Sequence, residues 1–265
     1  MTDTAQGATH SLKAVRNQSV ADGVFTMELS APQPLLSAAP GQFVYARVDG
    51  FLLRRPFGIH SVDAEKGTIT VAYAVRGKGT HALSRLKPGA ALDVLGPLGH
   101  GFRLPEGAQH VLLVGGGMGA APLLHAAQWL KGRASCDIAL GFAGKGQAFS
   151  LDAFARACRE LHIAADDGSM GLTGSVCELL VPLINARRPD TVWACGPAGL
   201  YRALQRQDIL RGLDCQISLE ERMGCGVGAC LTCNCKVKDG DGWAYKRVCA
   251  DGPVFGLWEV LLDGE

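Results

Sequence analysis

The sequence predicts a multidomain chain of class α/β plus β: an N-terminal antiparallel β-barrel, a parallel-sheet α/β domain, and a small cysteine-rich C-terminal domain. Three observations predict it. Between residues 23 and 95, apolar residues alternate at period two, with Pro-Gly turns between the runs. From residue 110 the rhythm changes to strand followed by helix, which calls for a parallel sheet wrapped by helices. Beyond residue 220, three cysteines crowd into one glycine-rich loop and a fourth follows a short polar hairpin. These changes place the boundaries at 1–103, 104–216 and 217–265.

In the first region the strand runs are 23–29, 42–48, 68–75 and 91–95, and 81–86 is the one expected helix. Two stretches there carry chemistry. Arg54-Arg55-Pro56-Phe57-Gly58-Ile59 sets a guanidinium beside an aromatic; the first forks onto anionic oxygens and the second flanks a flat ring. Arg76-Gly77-Lys78-Gly79-Thr80 opens the helix, where small residues and free N–H groups make a phosphate seat. Each has a plainer reading, a turn for the first and a solvated hairpin for the second. Neither has the spacing of a P-loop.

In the middle region, strands are expected at 110–114, 138–142, 162–164 and 191–195, and helices at 120–130, 175–184 and from 198 to about 210. Gly115-Gly116-Gly117-Met118-Gly119 joins the first strand to the first helix, the place where a dinucleotide pyrophosphate is cradled. It is not a strict G-x-G-x-x-G, and Pro122 falls early in the helix, so a generic glycine-rich turn competes with that reading.

Cys225, Cys230 and Cys233 stand at C-x4-C-x2-C spacing, with Cys249 as the fourth thiol. That is the plant-type ferredoxin spacing, in which four thiolates hold a [2Fe–2S] cluster. Gly224, Gly226 and Gly228 let the loop curl and turn N–H groups inward. Zinc competes, since Cys230-x2-Cys233 is a knuckle, but a structural zinc site usually reads as two such pairs. Cys235 keeps the ligand choice open; the spacing selects Cys233 and leaves Cys235 as a core or neighbouring thiol.

Composition sets bounds. Of 265 residues, 48% are hydrophobic and 19% charged, ordinary for a soluble globular protein. A net charge of +1 gives no electrostatic case for nucleic acid or an anionic membrane. The opening MTDTAQGATH lacks the basic and apolar regions of a signal peptide, and no apolar run reaches membrane-spanning length. Cys136, Cys158, Cys177, Cys195 and Cys215 are scattered singly, as reduced thiols of a cytoplasmic protein are.

Taken in order, the two barrel stretches resemble the flavin barrel of the ferredoxin–NADP⁺ reductase superfamily. The resemblance implies that Arg55, Pro56, Phe57 and Gly58 contact FAD, together with Ala72, Tyr73, Ala74, Gly79 and Thr80. Gly58 departs from the pattern, standing where the superfamily usually has a hydroxyl residue. The superfamily also uses a glycine run followed by an early proline for NAD(P), and a Cys-Gly-Pro at a later strand end with its thiol near the nicotinamide. Gly115, Gly116, Gly117, Met118, Gly119, Gly196 and Pro197 then bind the nucleotide, and Cys195 is the catalytic thiol. The loop after the second strand offers Lys145 but no arginine for a 2′-phosphate, which favours NAD.

Leu53-Arg54-Arg55-Pro56, Leu95-Gly96-Pro97-Leu98-Gly99, Asp166-Asp167-Gly168-Ser169 and the segment 219–230 resemble the electron-transfer subunits of two-subunit, NAD-dependent dihydroorotate dehydrogenases. That resemblance makes Cys225, Cys230, Cys233 and Cys249 the cluster ligands and implies a relay among NAD, FAD and [2Fe–2S]. It implies a partner, a catalytic FMN-containing subunit that oxidises dihydroorotate, in a heterotetramer of two heterodimers. Two other readings stand beside it: the small subunit of a ferredoxin-dependent NAD(P)H or sulfide reductase, and a zinc-stapled binding module on a reductase-like fold.

Overall fold

The computed structural model describes residues 7–262. Six strands close the first barrel: β1 (Thr9–Ala21), β2 (Val24–Ser30), β3 (Phe43–Ala46), β4 (Arg55–Asp63), β5 (Thr68–Ala74) and β6 (Ala91–Leu98), in the order β1-β2-β5-β4-β3-β6. Every pairing is antiparallel. Alternation decides what each face meets. Val44 and Ala46 point into the barrel core with Met27, Leu29, Ile59, Ile69 and Val94. Phe43 and Tyr45 point the other way, into a core shared with the C-terminal segment. A short helix α1 (Gln33–Leu36) lies between β2 and β3.

Two barrel strands were not expected. β1 hides its pattern because its outer face is exposed and its pairing with β2 shifts register twice. β4 begins at Arg55–Pro56, which reads as a turn; a proline is tolerated at the start of a strand, where its missing N–H matters least. The expected helix α2 (Lys78–Ser84) starts three residues earlier, because Gly77 caps it and the Thr80 hydroxyl accepts from the N–H groups of Arg76 (3.0 Å) and Gly77 (3.2 Å).

The second sheet has seven strands: β7 (His110–Gly116), β8 (Ser135–Phe142), β9 (Glu160–Ala165), β10 (Leu172–Thr173), β11 (Thr191–Cys195), β12 (Asp214–Ser218) and β15 (Val254–Gly256), in the order β10-β9-β8-β7-β11-β12-β15. All neighbours are parallel except β15, which pairs antiparallel with β12. Its helices are α3 (Ala120–Leu130), α4 (Leu151–Ala157), α5 (Leu180–Ala186) and α6 (Ala198–Gln205). The expected helix over 175–184 divides, with Val176–Leu179 wound as a 3₁₀ turn ahead of α5. β12 crosses residue 216, and β15 returns from the C-terminal segment to the sheet edge. A two-stranded hairpin, β13 (Asn234–Asp239) and β14 (Gly242–Arg247), separates Cys233 from Cys249.

Barrel and sheet are held together at β4 and α3. His60 is buried; its Nδ1–H donates to the Ala121 carbonyl (2.6 Å) and its Nε2 accepts from the Ser150 hydroxyl (3.1 Å). Burial lowers its pKa, which keeps the ring neutral and that tautomer in place.

At the far end of the sheet, Asp137 accepts from Arg159 through both carboxylate oxygens (2.9 and 2.6 Å) and lies 3.0 Å from His110 Nε2. Burial raises this carboxyl, but Arg159 and His110 more than offset it, so its pKa stays below the usual range. A depressed carboxylate pKa stabilises the fold above about pH 4, and that contribution fades as pH falls through the folded value. Asp137→Asn is expected to lower stability by roughly 1–2 kcal/mol at pH 7, because the Arg159 side chain left behind is 42% exposed and reaches solvent. Urea titrations should show the gap to wild type closing below about pH 4.

Candidate functional site

A cleft of about 520 Å³ opens where the barrel, the parallel sheet and the C-terminal segment meet. Of the expected residues, Pro56, Phe57, Gly58, Ala72, Tyr73, Ala74 and Thr80 line it from the barrel, and Met118 and Cys195 from the sheet. Phe43, Ala121, Pro122, Ser218, Glu220 and Met223 also line it and were not expected. They lie far apart in the chain; Pro122 left a sequence signal as a proline early in a helix, and Glu220 and Met223 fall in the segment 219–230 that carries the resemblance. Glu220 is exposed to the cleft, yet the surrounding protein raises its carboxyl pKa against the opposing charge of Arg76.

Two adjacent arginines are sorted by geometry. Arg54 is spent on Asp93, bidentate at 2.9 Å to both carboxylate oxygens, and on the Asp93 carbonyl at 3.1 Å. Arg55 folds over the start of α2: a Cβ on Gly79 would lie 2.9 Å from its Nε and Nη2. Its Nη1 donates to the carbonyls of Leu53 (2.5 Å) and Arg54 (3.2 Å). Arg55 and Gly79 thus stand beside the cleft wall, where guanidinium and first-turn N–H groups make an anion seat. The Thr80 hydroxyl is occupied in capping α2. Tyr73 lies against Phe57 (ring centroids 5.5 Å apart), its hydroxyl donates to Asn17 (2.9 Å), and burial pushes its pKa to about 12.

Gly58 has a packing reason. A Cβ there would lie 3.2 Å from Cβ of Pro122, so a larger residue would need Pro122 to give by a few tenths of an ångström.

The glycine loop and the Cys-Gly-Pro turn are back to back. A Cβ on Gly119 would fall 2.2 Å from the Cys195 carbonyl oxygen, and one on Gly116 would fall 3.2 Å from Pro197 Cδ. Gly115 packs under Leu140, and Gly117 takes a positive φ of 54°. Gly196 N–H donates to the Tyr201 hydroxyl (2.9 Å), which donates in turn to the Ser218 carbonyl. The Cys195 thiol is buried and lies 3.9 Å from the same carbonyl; burial pushes its pKa far up, so it is a neutral thiol.

Met223 lies two residues before Cys225, so the cleft runs directly into the cysteine loop. Three backbone N–H groups, of Val227, Ala229 and Cys230, point at the Cys225 sulfur (3.4, 3.3 and 3.4 Å). Gly228 N–H points at Cys249 (3.2 Å), Cys225 N–H at Cys230 (3.3 Å) and Cys249 N–H at Cys233 (3.4 Å). These contacts tie Cys225 to Cys230 and Cys249 to Cys233 through backbone N–H groups. Among the described residues no three His, Cys, Asp or Glu side chains converge on a single ion. Donors on and beside Thr232 hold the exposed Cys230 thiol down at about 6, whereas burial lifts Cys249 to about 12. Cys235 is buried on β13, its pKa raised to about 11 by burial.

Arg247 ties the two legs of this loop. It grips Asp251 through Nε and Nη2 (both 2.8 Å), and its Nη1 donates to the Gly228 carbonyl (3.2 Å).

Comparison with known proteins agrees with this geometry. Residues 220–261 match the model of the iron–sulfur cluster binding domain of dihydroorotate dehydrogenase B, and residues 11–102 match the oxidoreductase FAD-binding domain. The dihydroorotate dehydrogenase B (NAD(+)) electron transfer subunit of Caldanaerobacter subterraneus subsp. tengcongensis is 41% identical over 94% of this chain and 97% of its own. The chain belongs to the family of dihydroorotate dehydrogenase B electron transfer subunits. The family member from Geobacillus thermodenitrificans is 42% identical, over 95% of this chain and 98% of its own. Among solved structures, a chain of the NADH-dependent reduced ferredoxin-NADP oxidoreductase superposes with a TM-score of 0.85 at 32% identity, covering 96% of this chain and 91% of that one. Phthalate dioxygenase reductase shares the fold, with a TM-score of 0.62 at 17% identity over 91% of this chain and 77% of that one.

For this family member, Arg247→Gln is expected to free the Gly228 carbonyl and the Asp251 carboxylate together. Flavin content should hold while iron and sulfide per chain fall by half or more, as read by metal analysis and visible absorption.

Proposed function

We propose that the chain relays electrons between NAD and the FMN of a catalytic dihydroorotate-oxidising subunit, through its own FAD and [2Fe–2S] cluster. One observation carries the reading: a single cleft is walled by the flavin-type barrel, the nucleotide-type sheet and the residue that leads into the cysteine loop. Its volume lies in the range of ligand pockets, and the cysteine spacing is that of a [2Fe–2S] loop. The match of residues 220–261 to an iron–sulfur cluster binding domain weighs against a zinc-stapled module.

When bound, FAD supplies the exchange between a hydride carrier and a one-electron centre. The chain's residues bind, orient and shield. Arg55, with Gly79 and Thr80 at the start of α2, holds the FAD diphosphate. Pro56, Phe57, Gly58, Ala72, Tyr73 and Ala74 wall the ring. Gly115, Gly116, Gly117, Met118 and Gly119 receive NAD beside Gly196 and Pro197, and Cys195 meets the nicotinamide as a neutral thiol. Cys225, Cys230, Cys233 and Cys249 hold the cluster, and the N–H groups aimed at their sulfurs favour the thiolate form and help set its potential. The three functional divisions are 1–103, 104–216 and 217–265.

A partner subunit is supported by the surface beside the cluster loop. Val227 and Leu231, 54% and 58% exposed, flank the exposed Cys230. Pairing of two heterodimers into a heterotetramer, and a cytoplasmic location, belong to the same proposal. Among the described residues no helix is long and apolar enough to cross a membrane. A ferredoxin-dependent reductase small subunit is the second reading, favoured by the 0.85 superposition but at lower identity than the curated relatives. Identification of the co-purifying subunit separates the two.

The isolated chain should show flavin and iron–sulfur absorption and reduce artificial acceptors with NADH. It should leave dihydroorotate untouched until the catalytic subunit is added; orotate formation without it would refute the division of labour. Arg55→Leu should raise the Kd for FAD roughly 30-fold, about 2 kcal/mol for a lost charged hydrogen bond, by flavin fluorescence titration. Serine at all four of Cys225, Cys230, Cys233 and Cys249 should abolish iron binding.

A further inference from the structure

Tyr45 is a barrel residue that does not belong to the barrel core. Its neighbours Val44 and Ala46 pack inward, while Tyr45 is 1% exposed in a core it shares with Cys233 and Cys249. On one side it stands opposite Pro56 in the β3–β4 ladder, with Val44 opposite Phe57, so its backbone forms part of the sheet that walls the cleft. On the other side its ring lies under the cysteine loop: a Cβ on Gly226, which has a φ of 76°, would sit 2.6 Å from the ring. Its hydroxyl donates to the Met223 carbonyl at 2.9 Å, with the Gly224 carbonyl at 3.2 Å. One side chain thus grips the two peptide units that connect the cleft-lining Met223 to Cys225.

Resting on the FAD and cluster assignment above, we infer that Tyr45 is the positioning residue for electron passage between the flavin cleft and the cluster, holding residues 223–225 at a fixed distance from the cleft wall. The argument is geometric. Electron passage between two centres weakens steeply with separation and with loss of a packed, bonded path. The segment 220–225 is mostly surface chain, with Glu220, Glu221 and Arg222 exposed. The ladder of β3 with β4 and β6 makes Tyr45 rigid, and its hydroxyl passes that rigidity to the loop. Arg247 adds a hold on the other side of Cys225, where it grips the Gly228 carbonyl.

The test uses the full chain carrying FAD and cluster, mixed anaerobically with NADH in a stopped-flow instrument. NADH gives up a hydride, two electrons with one proton, to the flavin; one electron then reduces the cluster by one unit and the other stays on the flavin. Tyr45→Phe keeps the ring and removes the hydroxyl. Flavin bleaching by NADH should proceed at the wild-type rate, while the later cluster absorption change slows by about fivefold, the population change one ordinary hydrogen bond produces. The electron paramagnetic resonance signal of the reduced cluster should shift or broaden. Leu95→Ala trims packing opposite Tyr45 without touching the hydroxyl and should lower the melting temperature but leave the cluster step at its wild-type rate. A Tyr45→Phe chain that keeps FAD and its NADH step but loses iron overturns the inference in favour of a role in holding the loop together. Wild-type cluster reduction in a loaded Tyr45→Phe chain, or equal slowing by Leu95→Ala, overturns it. Absence of flavin or iron from the wild-type chain would instead fail the cofactor assignment.

Discussion

Along β3, Phe43 and Tyr45 alternate with Val44 and Ala46, and both faces of this four-residue strand are buried. A barrel strand usually has one face in the core and one in water. Here the outward face is covered by the cysteine-bearing segment, so the barrel cannot bury β3 by itself and the cysteine loop cannot pack without the barrel. The same segment sends β15 to the edge of the parallel sheet. The C-terminal residues therefore act as a clasp, touching the barrel through side chains and the sheet through backbone hydrogen bonds. That arrangement places three otherwise separate elements around one cleft.

Polarity within the clasp follows the same economy of position. Arg54 and Arg55 are neighbours, yet one is neutralised by Asp93 while the other faces the start of α2. The thiols divide in a similar way. Cys195 sits in an apolar wall and keeps its proton, whereas Cys230 lies near solvent among donors that favour its thiolate. Burial likewise lifts the Cys249 thiol, so it is the surroundings of each cysteine, and not its position in the sequence, that set its acidity.

Some of this was legible in the sequence. α3 over 120–130 and β11 over 191–195 were read to the residue, because each is a long or purely apolar run bounded by glycine. β1, β4, α4, β12 and β15 were not. β1 carries bulges, β4 opens on Arg-Pro, and α4 is a short helix whose apolar face, centred on the buried Phe154, is narrow. β15 is three residues long and gains its identity only from the β12 edge it joins. At the site, motifs with fixed local spacing were visible: the Arg-Pro-Phe-Gly turn, the glycine loop, the cysteines. Tyr45 was invisible, and Met223 and Glu220 were visible only as part of the segment 219–230, since their places at the cleft come from contacts across domains and have no local period. Gly58 was visible as a departure, but its cause, the flank of Pro122, is tertiary.

Leu231 shows how far the cysteine spacing governs the loop. It has a φ of 58°, a left-handed conformation that non-glycine residues adopt at an energetic cost, and its side chain is 58% exposed. A glycine would relieve the strain, and a polar residue would suit the solvent better. Leu231 lies between Cys230, exposed, and Cys233, buried. The left-handed step at Leu231 lies between one thiol that faces out and one that faces in, and it leaves an apolar side chain exposed near the outward thiol. An apolar projection at that place favours desolvation against another surface. One loop conformation thus carries both the exposed thiol and the apolar side chain beside it.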